Sequence, residues 1–266
     1  MTMRMTRRAN AGSCFGRRKE WRAFTLIEML VVIAIIAILS SMVMAGFGAF
    51  QVKGAKNRLL AECQELDFAI NNYKAKTGSF PPDNQYNSAL SPLVYELEGS
   101  VYNPADPLLG GNPSFRRLSD PAAVANLFNT NDVLQIFGPP TLGFLNSSDV
   151  TNQIKHVKEL GPDKVGEVAY GKYRVNLLRT PKSISAGTNY YYIDFSGASP
   201  ATNLLNNNTP NAGRMTDLNG QFVNVWHYRT TPPIHNSSGF DLWTVVVFGK
   251  QTNIICNWQR QPIKVN

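Results

Sequence analysis

Residues 24–50 form one uninterrupted run of 27 in which the only charged side chain is Glu28. That exceeds the ~20 apolar residues a helix needs to cross a bilayer, so the run is predicted as a membrane helix. The residues before it carry Arg4, Arg7, Arg8, Arg17, Arg18, Lys19 and Arg22 against a single acid, Glu20. Positive charge on one flank of a single span holds that flank in the cytoplasm and sends the remainder across. A secretory signal peptide shares this polarity, but its apolar region spans only about 7 to 15 residues before a small-residue cleavage site.

No turn signal separates the run from the residues after it. Leu59, Cys63, Leu66, Ile70 and Tyr73 recur at steps of four and three, which is one stripe of an amphipathic helix. The helix is therefore predicted from about residue 25 to about 76. Thr77-Gly78 and then Pro81-Pro82 end it, because Gly caps helix termini and Pro cannot continue them. Beyond it, residues 78–266 suffice for one globular domain with its own core. Strands are expected at 190–195, 221–229 and 240–248, and short helices at 89–98, 121–128 and 150–160. Clusters such as Leu109-Gly110-Gly111-Asn112-Pro113 and Leu204-Leu205-Asn206-Asn207-Asn208-Thr209-Pro210 read as turns or loops. The fold class is α+β: a long N-terminal helix, half membrane-spanning (24–50) and half amphipathic (51–77), packed on a small antiparallel sheet. Residues 83–220 read as a large loop-rich insertion, and 221–258 as terminal strands.

The segment Ala23-Phe24-Thr25-Leu26-Ile27-Glu28 resembles the prepilin processing motif of type IV pilins and type II secretion pseudopilins. The resemblance implies a pilin-like fold. It also implies that residues 1–23 are a leader, cut between Ala23 and Phe24 by a prepilin peptidase, with N-methylation of Phe24 by the same enzyme. The family's usual residue before the cut is Gly; Ala23 is also small. Tyr73-Lys74-Ala75-Lys76-Thr77-Gly78-Ser79-Phe80-Pro81 is similar to the helix exit of the major pseudopilin. Trp226-His227-Tyr228-Arg229, Phe240-Asp241-Leu242-Trp243-Thr244 and Ile255-Cys256-Asn257-Trp258 resemble its terminal strands. One departure concerns calcium. Where major pseudopilins carry an acidic loop of oxygen ligands, this chain has Val247-Phe248-Gly249-Lys250, without an acid, which argues against the ion there.

Glu28 admits two roles. Thr25-Leu26-Ile27-Glu28 fits a capping box, in which the carboxylate satisfies a free backbone amide at the helix start. A carboxylate inside an apolar span also costs about 2.5 to 3.5 kcal/mol at mid-membrane, less near the interface, and such residues usually have a partner. The resemblance implies that partner is the new Phe24 amine of a neighbouring subunit. Ala37, Ser41, Ala45 and Ala49 lie four apart on one face, a ladder that lets helices approach closely in lipid, although small residues are also common in membrane spans. Of three cysteines, Cys14 leaves with the leader. Cys63 and Cys256 are a candidate disulfide in an oxidising compartment, or two buried thiols.

The formal charge is +8, but the leader alone holds seven cations and one acid, so the basic balance is chiefly a topology signal. No nucleic-acid partner is expected. His156, His227 and His235 show no metal-ligand spacing, and no nucleophile elbow, zinc-protease or phosphate-loop motif occurs. Asp241 is expected to bind nearby backbone amides at a strand end. No catalytic residue, cofactor or metal ligand is assigned, and the chain is expected to be a structural protein, not an enzyme. The resemblance implies as partners the prepilin peptidase/methyltransferase, further copies of the chain and other pseudopilins, an inner-membrane assembly platform and membrane lipid. It implies a single-pass inner-membrane protein with its globular part in the periplasm, or at the cell surface in a true pilus. Three readings stay open: a secretion pseudopilin, a surface type IV pilin for adhesion, motility or DNA uptake, and an envelope enzyme or binding protein on a pilin-like anchor. The last calls for a deep pocket with convergent polar groups within 83–220.

Overall fold

A computed structural model of the 266-residue chain describes residues 24–118, 127–139, 141, 143–148, 155–157, 160–181, 215–249 and 251–265, with backbone alone at 43–49, 148, 222 and 265. The first element is α1, Leu26–Thr77. The chain divides into two compact units between Phe50 and Gln51.

In the first unit the side chains from Leu26 to Met42 are exposed, among them Leu26 at 83 %, Ile33 at 63 % and Met42 at 69 %. They find no covering partner within the described chain. Among the described residues no helix is long and apolar enough to cross a membrane. Phe50, at the end of the apolar run of the sequence, is 76 % exposed.

The second unit begins with the amphipathic stripe. Leu59, Cys63, Leu66, Ile70 and Tyr73 are all buried, at most 3 % exposed, as the spacing predicts. Phe68, on another face, is 73 % exposed. The helix stops where its sequence says it should: Gly78 takes φ +86° and its N–H donates to the Lys74 carbonyl at 2.8 Å. That left-handed conformation carries little penalty for a residue without Cβ.

Against this stripe stands an antiparallel sheet formed by β8 (His227–Arg229), β9 (Asp241–Phe248), β10 (Gln251–Cys256) and β11 (Ile263–Val265), in the order β11-β10-β9-β8. Strand alternation divides its residues. Leu242, Val246 and Ile255 join the main core with the helix stripe, while Trp243, Val245, Ile254 and Cys256 form a second cluster with Trp258 and Ile263. Cys63 and Cys256, the candidate disulfide, fall in different clusters yet line one cavity together. Both are free buried thiols, Cys63 in the first cluster and Cys256 in the second, across from Trp243 in the ladder.

The region expected to be a loop-rich insertion contributes much of the body. It holds α2 (Leu93–Glu98), α3 (Thr130–Phe137), and β1 (Ser100–Asp106), β2 (Asn112–Arg117) and β3 (Ser147–Ser148) in the order β2-β1-β3. A hairpin comes next, β4 (Val165–Tyr170) with β5 (Tyr173–Leu178), and then β6 (Met215–Thr216), paired with β7 (Phe222–Val223) just beyond it. Its rings Tyr95, Phe115, Phe128, Phe137 and Phe144 pack edge-on or stacked at 4.5–5.8 Å within the main core. The Gly110-Gly111 cluster is the β1–β2 turn.

Several expected elements differ. The helix foreseen over 89–98 starts at Leu93, because Pro92 sits at its N-cap. Phe128, expected at a helix end, instead pairs with Phe115 in an isolated bridge. The rest of that helix, the strand at 190–195, most of the helix at 150–160 and the cluster at 204–210 lie outside the described residues. The strand foreseen over 221–229 breaks into β7 and β8. Between them the backbone turns to the end of β5: Trp226 N–H donates to the Leu178 carbonyl, and the Asn224 carbonyl accepts from Thr180 N–H, both at 2.9 Å. β10 and β11 extend the terminal strands to residue 265.

Candidate functional site

The head of α1 carries the residues that motif reading singles out. Thr25 is its N-cap, and Glu28 lies three residues on. The Thr25 N–H donates to Glu28 Oε2 at 2.9 Å, the Thr25 hydroxyl donates to the same oxygen at 2.8 Å, and the Glu28 N–H donates to Thr25 Oγ1 at 3.3 Å. This is a reciprocal capping box. The capping role of Glu28 is thus present, and it occupies one carboxylate oxygen. Phe24, immediately before the box, is 71 % exposed. Ala23 lies outside the described residues. Of the ladder, Ala37 and Ser41 are exposed, with the Ser41 hydroxyl turned to the Ile38 carbonyl at 2.7 Å; Ala45 and Ala49 are among the positions known by backbone alone.

The C-terminal region is held by carboxylates on backbone amides. Asp241, 1 % exposed at the start of β9, accepts from the N–H groups of Ile234 at 2.6 Å and of His235 and Asn236 at 2.9 Å. That is the strand-end role expected of it. Asp83 does the same for Thr230 and Thr231, at 2.8 and 3.0 Å. Asn257 then ties the end of β10 to the helix through Asp67 at 3.0 Å. The β9–β10 turn carries Gly249 at φ +63°, and among the described residues no group of three His, Cys, Asp or Glu side chains could hold a metal.

Glu96 and Glu98 are among the buried carboxylates that escaped sequence reading. Glu96, fully buried on α2, accepts from the Tyr73 hydroxyl at 2.8 Å and from the N–H groups of Leu145 and Asn146 at 2.8 and 2.9 Å. Burial pushes its carboxyl above the usual range, and the donors from Asn146, Tyr73 and Leu145 pull the other way. Glu98 makes a bidentate pair with Arg117 at 2.6 and 2.9 Å and accepts from Leu160 N–H. Both stitch the middle region together, and no short motif marks them in Leu93–Glu98.

The histidines are packed or stacked. His227 is 5 % exposed, lies 3.1 Å from the Ser88 hydroxyl through Nδ1 and stacks on Trp243; burial drives its imidazole down to about 3. His156 lies against the Tyr73 ring, and burial lowers it also. His235, exposed, stacks on Trp258. A cavity of about 520 Å³ opens in the middle region, walled by Tyr102, Phe115, Phe144 and Leu145 with hydroxyls from Thr130, Thr141 and Ser147. No carboxylate, imidazole, thiol or amine is among its described lining residues, so it lacks the groups that acid–base or nucleophilic chemistry needs.

Comparison with known proteins falls on the helix head. Residues 22–44 match the model of the prokaryotic N-terminal methylation motif. The type II secretion system core protein G of Escherichia coli K12 is 34 % identical over 95 residues, which cover 32 % of this chain and 66 % of that protein. Its counterpart from Klebsiella michiganensis is 32 % identical over 74 residues, covering 28 % and 52 %. The chain thus spans about two thirds and about half of these relatives' lengths. No solved structure matches. The methylation motif at the head of a long capped helix and the likeness to these two core proteins support a pseudopilin.

Proposed function

We propose that this chain is a structural filament subunit of a type II secretion system. It is cut between Ala23 and Phe24 by a prepilin peptidase, methylated on Phe24, and assembled through α1 with copies of itself and other pseudopilins on an inner-membrane platform. The observation that carries the reading is the exposed Phe24 directly before a Thr25–Glu28 capping box at the head of the matched motif. Cleavage there would create an amine one turn from Glu28. One oxygen of that carboxylate serves its own helix, and the other would accept a neighbour's Phe24 amine, setting register between subunits. Before assembly residues 24–50 anchor the chain as a single pass, with the globular unit in the periplasm. Ala37, Ser41, Ala45 and Ala49 are the face along which helices close up.

The test is the intact mass and N-terminal sequence of the chain from host membranes, with and without the prepilin peptidase. A mature chain beginning with methylated Phe24 is expected only with the enzyme. A chain still carrying its leader in both would overturn the reading. Export of the host's secreted proteins in a strain lacking this chain separates a secretion role, which predicts loss, from a surface pilus, which leaves export intact.

A further inference from the structure

The globular unit opens with three cations. Residues 51–61 contain Lys53, Lys56 and Arg58 and no acid. Lys53 and Arg58 are exposed and Lys56 is half-buried. Lys56 lies over the Phe248 ring, 5.4 Å from its centroid, beside the β9–β10 turn. None of the three enters a salt bridge among the described residues. The first acid after them, Glu62, is 5 % exposed and accepts the Trp226 indole N–H at 2.9 Å, so it is committed to the core.

At about 100° per residue these cations point to different sides of the helix, and from Lys53 to Arg58 they span about 7.5 Å of rise. That is roughly the depth of one headgroup layer, since a bilayer of about 40–45 Å holds about 30 Å of hydrocarbon. In sequence they come directly after the apolar run, where a spanning helix leaves the hydrocarbon. Phosphate oxygens there would meet unpaired cations whose methylene stems can lie along apolar surface. The orientation rule is not violated, because seven basic side chains in the leader outnumber these three.

We propose that Lys53, Lys56 and Arg58 form a collar that binds anionic phospholipid headgroups on the side of the membrane that bears the globular unit. The collar holds the stored subunit upright and makes its release depend on lipid charge. This rests on the reading of residues 24–50 as a membrane span.

The mature chain, freed of its seven-cation leader, is reconstituted into nanodiscs of equal phosphatidylcholine and phosphatidylglycerol, and the lipids that stay bound on release are counted by native mass spectrometry. The ratio of retained phosphatidylglycerol to phosphatidylcholine should stand severalfold above one and fall by up to about fivefold for each cation removed. The Lys53→Gln/Arg58→Gln variant should lose most of the enrichment. Lys74→Gln/Lys76→Gln, which removes the same charge at the far end of the helix, should keep it. Equal retention of the two lipids by the native chain, or full enrichment in Lys53→Gln/Arg58→Gln, would overturn the collar alone. A chain that enters no nanodisc would overturn the membrane-span reading and the collar with it.

Discussion

The two halves of α1 are built from different sequence periods and end in opposite states. From Leu26 to Met42 apolar side chains point in every direction and stay exposed. From Leu59 to Tyr73 they occupy one stripe and are buried. A helix that is apolar all round has no preferred side for its own fold to cover. A striped helix hands one face to its own chain. One continuous element thus carries two sequence patterns, and substitutions in the two halves should be felt by different assays.

The largest effect should come from the polar contact that joins the striped half to the middle region. Glu96→Ala strands the Tyr73 hydroxyl and two backbone N–H groups in the core. At 1–3 kcal/mol for each unsatisfied donor, it should cost about 4 kcal/mol. For a body of this size that is a fall in Tm of roughly 12 °C, read by near-ultraviolet circular dichroism of the purified chain. Glu96→Gln should fall between, because its amide accepts the Tyr73 hydroxyl but meets one backbone N–H with another donor. A Glu96→Ala chain as stable as the native one would mean that the network is incidental.

Next comes a matched pair of truncations. Ile70, fully buried, and Ile33, 63 % exposed, are the same residue on the same helix. Ile70→Ala removes core contacts and leaves a cavity, for about 3 kcal/mol. Ile33→Ala should leave the Tm of the body unchanged and act, if anywhere, on membrane retention. Equal losses would erase the distinction between the halves.

Acid should act on the globular unit through His227. His227 is held near 3 by burial, against about 6.5 when unfolded, so the unfolded chain binds the extra proton first. The stability linked to it is complete above pH 6.5 and declines as pH falls from there toward 3. At pH 5 the loss is about 2 kcal/mol. Glu62 and Glu96, raised by burial, act in the opposite sense: the cost of their charge is relieved as acid protonates them. His227→Gln should therefore flatten the decline between pH 6.5 and 5, measured by urea unfolding at each pH. An unchanged slope would assign the acid sensitivity to another group.

How much of this was legible in the sequence depends on how local each cause is. The helix, its stripe and its stop at Thr77-Gly78 are written in nearby residues, and so are the capping box and the strand-end role of Asp241. The middle region is not. Its strands pair residues far apart, Ser100 with Ser147 and Arg179 with Val225, and its short segments carry too few apolar positions for a period to show. Glu96 looks like one polar residue of an amphipathic turn, and only the chain folded back to Asn146 makes it a hub. The misplaced strand at 221–229 has the same origin: its composition is right for a strand, but Val225 pairs with Arg179 and Trp226 bonds to Leu178 at the end of β5. Cys63 and Cys256 come together at one cavity, as the packing of their helix and strand suggests, and both are free thiols there.

Glu28→Ala is the smallest perturbation of the fold and the sharpest of the function. Its carboxylate touches only Thr25, at the exposed head of the helix, so the Tm of the globular unit should not change. Capping alone would predict a frayed first turn, visible as faster amide exchange at residues 26–29, and filaments still formed. Pairing with a neighbour's amine predicts more: leader removal proceeds, the mature subunit accumulates in the membrane, and filament incorporation is lost. Glu28→Gln separates the two roles, because the amide oxygen can still cap Thr25 but carries no charge for an ammonium. Filaments from Glu28→Gln at native levels would leave the carboxylate as a cap. Their loss, with helix ends as protected as in the native chain, would place its charge between subunits.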